Sequence, residues 1–470
     1  MHSQKFSSTL RVCLTALLLT ITLGVGAAPV AQAIWCSGNT TLYFTYDELY
    51  AAGNEYKGQT ITSVWSGDKV TATAYQPDWD YDSNVSGNCT HVVFDPSFTN
   101  VRPVSCIEWF LDFTKLTAID GLTNLNTSEV TSMYSMFANC SSLTSIDLSG
   151  FRTAEVTTME GMFYHCQGLT TLDLSTFRTE KVKNMVEMFK DCTSLATIYV
   201  SGGWTTANVT SSSDMFTNCK TSTLTTQAPT VVLNDNADNA ADIAYFSGIT
   251  VNVQLQGRTL TKDGYWNTLC LPFDVTLSGS PLAAATLKEL DDSQSSLAAN
   301  GTLTLTFTNA TSVVPGKPYI VKWSTGDNIT NPIFSGVTIT STTPTKVESS
   351  DHQVKFVGQY SPFSITDANI NEILYVASSN KIGYTKNPRT LKCFRTHFWV
   401  QPNNGQAARA INIDWGDEEV SGIMDAEANS SLFTLHSSLS EWYDLQGRKL
   451  AANPTQRGVY IHHGHQVVVK

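Results

Sequence analysis

The feature that most constrains this chain is a repeat. Val130, Met136, Phe137, Cys140 and Leu143 recur 26 residues later as Val156, Met162, Phe163, Cys166 and Leu169. They recur again as Val182, Met188, Phe189, Cys192 and Leu195, and a further step of 27 gives Val209, Met215, Phe216 and Cys219. Upstream, Phe110, Phe113, Leu116 and Ile119 fit the same frame, with Phe113 in the cysteine slot. A unit this short cannot bury its own apolar face. Stacked units make a continuous core, and the atypical units at each end cap it.

Each repeat has two parts. The L-x-x-I/L-D/Y-L/V-S part alternates as a short strand does. Met133, Met136, Phe137 and Cys140 are spaced like one face of a short helix. The pattern predicts a short α/β solenoid with Met136, Phe137, Cys140, Met162, Phe163, Cys166, Met188, Phe189, Cys192, Met215, Phe216 and Cys219 as its core. Its strands, at ~4.8 Å per coil, present a face only ~20–25 Å wide, which suits recognition rather than enclosure of a reactive pocket. On that face Ser145, Asp147, Thr171, Asp173, Thr197 and Tyr199 alternate with the inward Leu and Ile. They are the candidate binding residues; the competing reading is a Thr/Asp surface ladder with no ligand. The repeat cysteines read as packed thiols. Zinc needs paired spacing such as C-x2-C, which is absent, and a ligand would not tolerate Phe113 in its slot.

Composition supports a multidomain, mainly β chain. At 470 residues it exceeds one ordinary core. Only 15% of residues are charged, against about 25% on average, and Thr, Ser and Asn take their place. The net charge of −12 argues against a basic nucleic-acid face and against docking to anionic lipid. Residues 1–33 read as an export signal. Lys5 and Arg11 form the charged part, Leu14 to Val25 the apolar part, and Ala31-Gln32-Ala33 a small-x-small cleavage site. The expected location is therefore exported, at the cell surface or extracellular.

The stretch N-T-S-E-V-T-S-M-Y-S-M-F-A-N-C-S-S-L-T-S-I-D-L-S-G-F at 126–151 resembles the BspA-type leucine-rich repeat surface proteins, the DUF285 repeat. The resemblance covers about 90–222 and includes Val92-Val93-Phe94, Arg102-Pro103, Trp109-Phe110 and Gly121-Leu122. It implies a bacterial surface protein whose relatives act as adhesins, with no catalytic residues. The partners it implies are host extracellular matrix proteins, glycans or another bacterial surface protein.

The flanks read separately. Residues 34–89 are a Tyr, Trp and Gly-rich lead-in. Asp78, Asp80 and Asp82 form a D-x-D-x-D run that lacks the Gly and closing Glu of a calcium loop and reads as a solvated turn. Residues 223–247 read as a linker. From 248 to 416, eight short alternating runs separated by turn residues predict a β-sandwich. Gly264–Phe273 and Gly316–Trp323 resemble modules of Prevotella-like Bacteroidetes surface proteins. Residues 417–438 read as a second linker, and 439–470 as a small β tail. Its Y-D-L-x-G-R and G-x-Y-I motifs resemble the type IX secretion sorting domains of Bacteroidetes. That resemblance implies outer-membrane association through the tail. His462, His463 and His465 fit turn positions on a hairpin better than a metal site.

No cofactor or metal is expected. Cys270, His397 and Asn404 are the residue types of a thiol protease, but their surroundings match no nucleophile motif. The pairs Asp291-Asp292 and Glu418-Glu419 read as solvated faces. The pairing of Cys36, Cys89, Cys106, Cys270 and Cys393 stays open. The expected function is that of a surface adhesin rather than an enzyme. The alternatives are a structural surface or fimbria-like component and, further off, a secreted hydrolase.

Overall fold

The computed structural model describes residues 28–67, 70, 77–79, 82–377, 380, 382–401, 408 and 410–416, with the backbones of strands Val420–Asp425, Trp442–Tyr443, Gly458–His462 and His465–Val469. Among the described residues the fold is mainly β, with several small sheets and no barrel. Two compact units divide the chain, Met1–Gln227 and Ala228–Lys470.

The first unit opens with β1 (Val30–Cys36), β2 (Thr41–Asp47), β3 (Glu55–Tyr56), β4 (Gln59–Ser66), β5 (His91–Phe94) and β6 (Ala118–Asp120). They form one sheet in the order β3-β4-β1-β2-β5-β6. β1 runs antiparallel to β2 and β4, whereas β2, β5 and β6 are parallel. The stretch at 34–89 therefore shares a sheet with β5 and β6 of the repeat region. Phe44, Trp79, Phe94, Phe98, Trp109 and Phe110 join the same core as the repeats. Phe44 stacks on Phe94 at 4.5 Å and on Trp109 at 5.5 Å, and the Trp79 indole donates to the Trp109 carbonyl at 2.8 Å. This aromatic cluster covers the core end that an isolated repeat would leave exposed to water.

The repeats contain no α-helix; the expected short helices are chains of turns. At the ten positions 108, 112, 135, 139, 161, 165, 187, 191, 214 and 218 the backbone is left-handed, and only 161 is glycine. That conformation costs an ordinary residue roughly 1–2 kcal/mol. It turns alternate N–H groups out of their own coil. Met133, Ser135, Phe137 and Asn139 donate to the carbonyls of Thr158, Glu160, Met162 and Tyr164 in the next repeat. The same set recurs from 159, 161, 163 and 165, and from 185, 187, 189 and 191. Of the N–H groups between them, Met136 and Ala138 close i−3 turns onto Met133 and Ser135, and Tyr134 donates to the Ser132 hydroxyl. Both a helix and this turn chain point Met, Phe and Cys inward, so their spacing alone does not separate the two.

On the opposite side, β7 (Thr171–Leu174), β8 (Thr197–Val200) and β9 (Leu224–Thr226) form a parallel sheet. β9 lies inside the segment expected to be a linker. The same segment holds strand Thr230–Asn234 and helix Ala240–Tyr245, which belong to the second unit.

All eight runs expected between 248 and 416 are strands, but several sheets share them. Asn267–Cys270, Pro318–Lys322, Thr286–Leu290, Thr302–Ala310, Ala410–Asp414 and Val420–Asp425 follow one another in one sheet. Thr250–Gln256 lies between Thr230–Asn234 and Ile333–Thr338 in another, and Val354–Gly358 pairs Thr396–Val400 in a third. They enclose two main apolar clusters, one around Tyr319 and Phe273 and the other around Phe307, Phe356 and Phe398. The second expected linker contributes strand Val420–Asp425; residues 426–438 lie outside the described residues. The tail forms a three-stranded sheet from Trp442–Tyr443, Gly458–His462 and His465–Val469.

Candidate binding face

Three ladders brace the repeat region from inside. Phe110, Phe137, Phe163, Phe189 and Phe216 stack in sequence with centroids 5.4–6.1 Å apart. The thiols of Cys140, Cys166 and Cys192 donate to the carbonyls of Phe110, Phe137 and Phe163 in the preceding repeat, at 3.0–3.1 Å. Burial pushes the Cys192 thiol up to about 12 and Cys166 well above its usual range. Cys166 and Cys192 thus stay protonated, as packed hydrogen-bond donors rather than nucleophiles. The expected core residues are fully buried in the three regular repeats. In the last repeat Met215 is buried, and Phe216 and Cys219 are partly so.

The third ladder is built from threonine hydroxyls, which the apolar spacing does not show. Thr153 is fully buried, and its hydroxyl both donates to the Arg178 carbonyl and accepts from the Arg178 N–H, each at 2.8 Å. Thr127 does the same to Arg152, and Thr179 to Thr205. Its sequence signal is the Thr three residues before each repeat valine, at Thr127, Thr153, Thr179 and Thr206; each of the first three clamps the residue just ahead of the next Thr in that series.

These ladders position the outer face. β7 and β8 pair in register, with Thr171 opposite Thr197 and Asp173 opposite Tyr199; Thr225 of β9 follows Tyr199. Leu172, Leu174, Ile198 and Val200 are buried between them, while Thr171 and Asp173 are exposed and Thr197 and Tyr199 half-exposed. Asp173 caps its own turn through Oδ1 to the Ser175 N–H at 2.9 Å, and its Oδ2 accepts from the Gln227 amide at 3.2 Å. Ser145 and Asp147 are exposed too, but their segment forms no strand. That repeat is tied to the next by the Thr176 hydroxyl on the Leu148 carbonyl and by Phe151 stacked on Phe177. The structure thus joins four of the six candidates in one ladder.

Residues 105–227 match a family model. It is described as "Mycoplasma protein of unknown function, DUF285". The DUF285 region therefore holds the three regular repeats and the atypical unit at each end, together with β7, β8 and β9. No curated protein matches the chain, and no solved structure does.

Other candidates are placed as follows. Cys36, Cys89, Cys106, Cys270 and Cys393 are all free and buried. The Cys270 thiol donates to the Gly316 carbonyl and Cys393 to Ala237, so each serves a different backbone group. Burial raises Cys270 to about 12, and burial lowers His397 to about 4. His397 Nδ1 meets Gln359 Oε1 at 3.1 Å, and its ring stacks on Phe363 at 4.2 Å. Neither group is poised for thiolate chemistry. Asn404, Asp80 and Glu418-Glu419 lie outside the described residues. So do the side chains of His462 and His465, and all of His463. Asp82 caps the short helix Ser83–Ser86 by accepting from the Asn84 N–H. Asp291 accepts from the Ser293 hydroxyl, which holds its carboxyl below the usual range. Among the described residues no cluster of His, Cys, Asp or Glu is arranged to hold a metal.

Proposed function

We propose that this protein is an exported surface-binding protein, and that its repeat region is a short leucine-rich-repeat-like solenoid whose strand face recognises a partner. The observation that carries the reading is the register of Thr171–Thr197 and Asp173–Tyr199 across β7 and β8. It sets a carboxylate beside a phenol on a rigid parallel sheet, flanked by hydroxyls. That chemistry suits hydrogen bonding and stacking with a glycan or with a polar patch on another protein, including host matrix proteins and other bacterial surface proteins. The second unit would act as a spacer module and the three-stranded tail as the export or attachment element. The tail reading draws on its Y-D-L-x-G-R and G-x-Y-I motifs.

The test is a screen of the full chain against matrix proteins and a glycan array, repeated with Asp173→Asn/Tyr199→Ala. The Asn keeps the turn-capping oxygen. The expected result is binding that weakens at least tenfold in the variant, with unfolding unchanged. Full binding by the variant would remove this face from the reading.

A further inference from the structure

The export reading placed a cleavage after Ala33, but the fold gives that segment another use. β1 begins at Val30 and lies in the interior of its sheet, between β4 and β2. Gln32, Ala33 and Ile34 are completely buried. The Gln32 side chain is fully engaged. Its Oε1 accepts from the Tyr50 N–H at 2.9 Å, and its Nε2 donates to the Tyr50 carbonyl at 3.1 Å and to the Ser66 hydroxyl at 2.8 Å. Val30 through Ala33 also pair with Asp47 through Phe44. A cut after Ala33 would leave only Ile34–Cys36 of this strand. Half of β2 and the end of β4 would then lose their backbone partner beside the aromatic cluster that closes the repeat core.

We infer that the export signal is removed upstream of Val30, at the Ala27–Ala28 bond. This deepens the export reading above and rests on it. The apolar run ends at Val25, and small residues follow at once: Gly26, Ala27 and Ala28. A signal peptidase needs small side chains just before the scissile bond and a short distance from the apolar run. The next bond, Ala28–Pro29, is a tertiary amide whose ring restricts the residue before it. Ala31-Gln32-Ala33 has the right residue types, yet they are there because β1 packs small and amide side chains against its neighbours. In the cleavage, water adds to the Ala27 carbonyl carbon and the Ala28 nitrogen leaves as the new amino terminus.

The test is export of the full chain from a bacterial host, with N-terminal sequencing and intact mass of the exported product. A new N-terminus at Ala28, or at a neighbour ahead of Val30, supports the inference. A new N-terminus at Ile34 overturns it while leaving the export reading intact. Export with Met1 retained, or no export, overturns both. In a second arm, Ala27→Arg/Ala28→Arg changes only residues ahead of β1. It is expected to accumulate uncut precursor; continued processing to Ile34 would overturn the inference independently.

Discussion

The two units solve the same problem, burying polar backbone inside a charge-poor β protein, in opposite ways. In the first, each brace reaches one repeat away: Cys166 to Phe137, Thr153 to Arg178, Phe163 to Phe189. In the second, braces join residues far apart. The Asn239 amide donates to the Tyr360 carbonyl, 121 positions on, and Arg395 pairs with Asp235, 160 positions back. Asp235 is completely buried and Arg258 nearly so, with its guanidinium donating to the Thr268 carbonyl. Burial, aided by the like charge of Arg395, lowers Arg258 to about 9. Periodic short-range contacts add up repeat by repeat, whereas long-range ones require the whole topology to close first. The repeat region is therefore expected to lose stability in proportion to the rungs lost, and the second unit to depend on a few long-range contacts.

The strongest way to break this contrast is Phe163→Ala. It empties the middle of the Phe stack, between Phe137 and Phe189. The expected cost is about 3–5 kcal/mol by chemical denaturation. Hydrogen exchange should show lost protection spreading one repeat to each side. A loss confined to its own repeat would show that the stack does not couple neighbours.

A pH titration sharpens the contrast from the second unit. Above pH 6.5 His397 is neutral in folded and unfolded chains alike. As pH falls from 6.5 toward 4, the unfolded chain takes up the proton and the folded one, with its value held at about 4, does not. Stability should fall by about 3 kcal/mol over that window and the effect should level off below it. Comparing His397→Gln with the native chain at pH 7 and pH 4 isolates this contribution. Equal slopes in the two proteins would mean His397 is solvated in the folded state.

The smallest expected effect is Thr153→Val, which keeps the shape and removes the hydroxyl. The Arg178 N–H and carbonyl each lose their Thr153 partner. The expected cost is about 1–3 kcal/mol, read as a shifted denaturation midpoint at unchanged slope. A cost no larger than that of an exposed Thr such as Thr171→Val would mean water replaces the clamp.

Much of the first unit was legible in the sequence. The period, the buried Met, Phe and Cys positions, and the exposure of Thr171 and Asp173 all follow from apolar spacing, because burial of a repeated face leaves a repeated imprint. Ser145 and Asp147 show the limit. Their alternation matches that of β7, but strand formation also needs a hydrogen-bonding neighbour in register, and their segment has none. In the second unit the eight strand runs were legible individually. Their distribution among several sheets was not, since alternation records which side is buried and not which strand lies alongside.

The sequence by itself determined that the chain repeats, that it is mainly β, and which side chains face inward in each repeat. Tertiary structure decided what those side chains hang on. The Met133 to Cys140 spacing fits a helix or a left-handed turn chain equally well, and the choice rests on the N–H groups of 133, 135, 137 and 139 finding carbonyls in the next repeat. Tertiary structure likewise decided that Ala31-Gln32-Ala33 is the middle of a strand. A small-residue tripeptide carries the same letters in a cleavage site and in a crowded sheet, and only the neighbours that pack against it tell them apart.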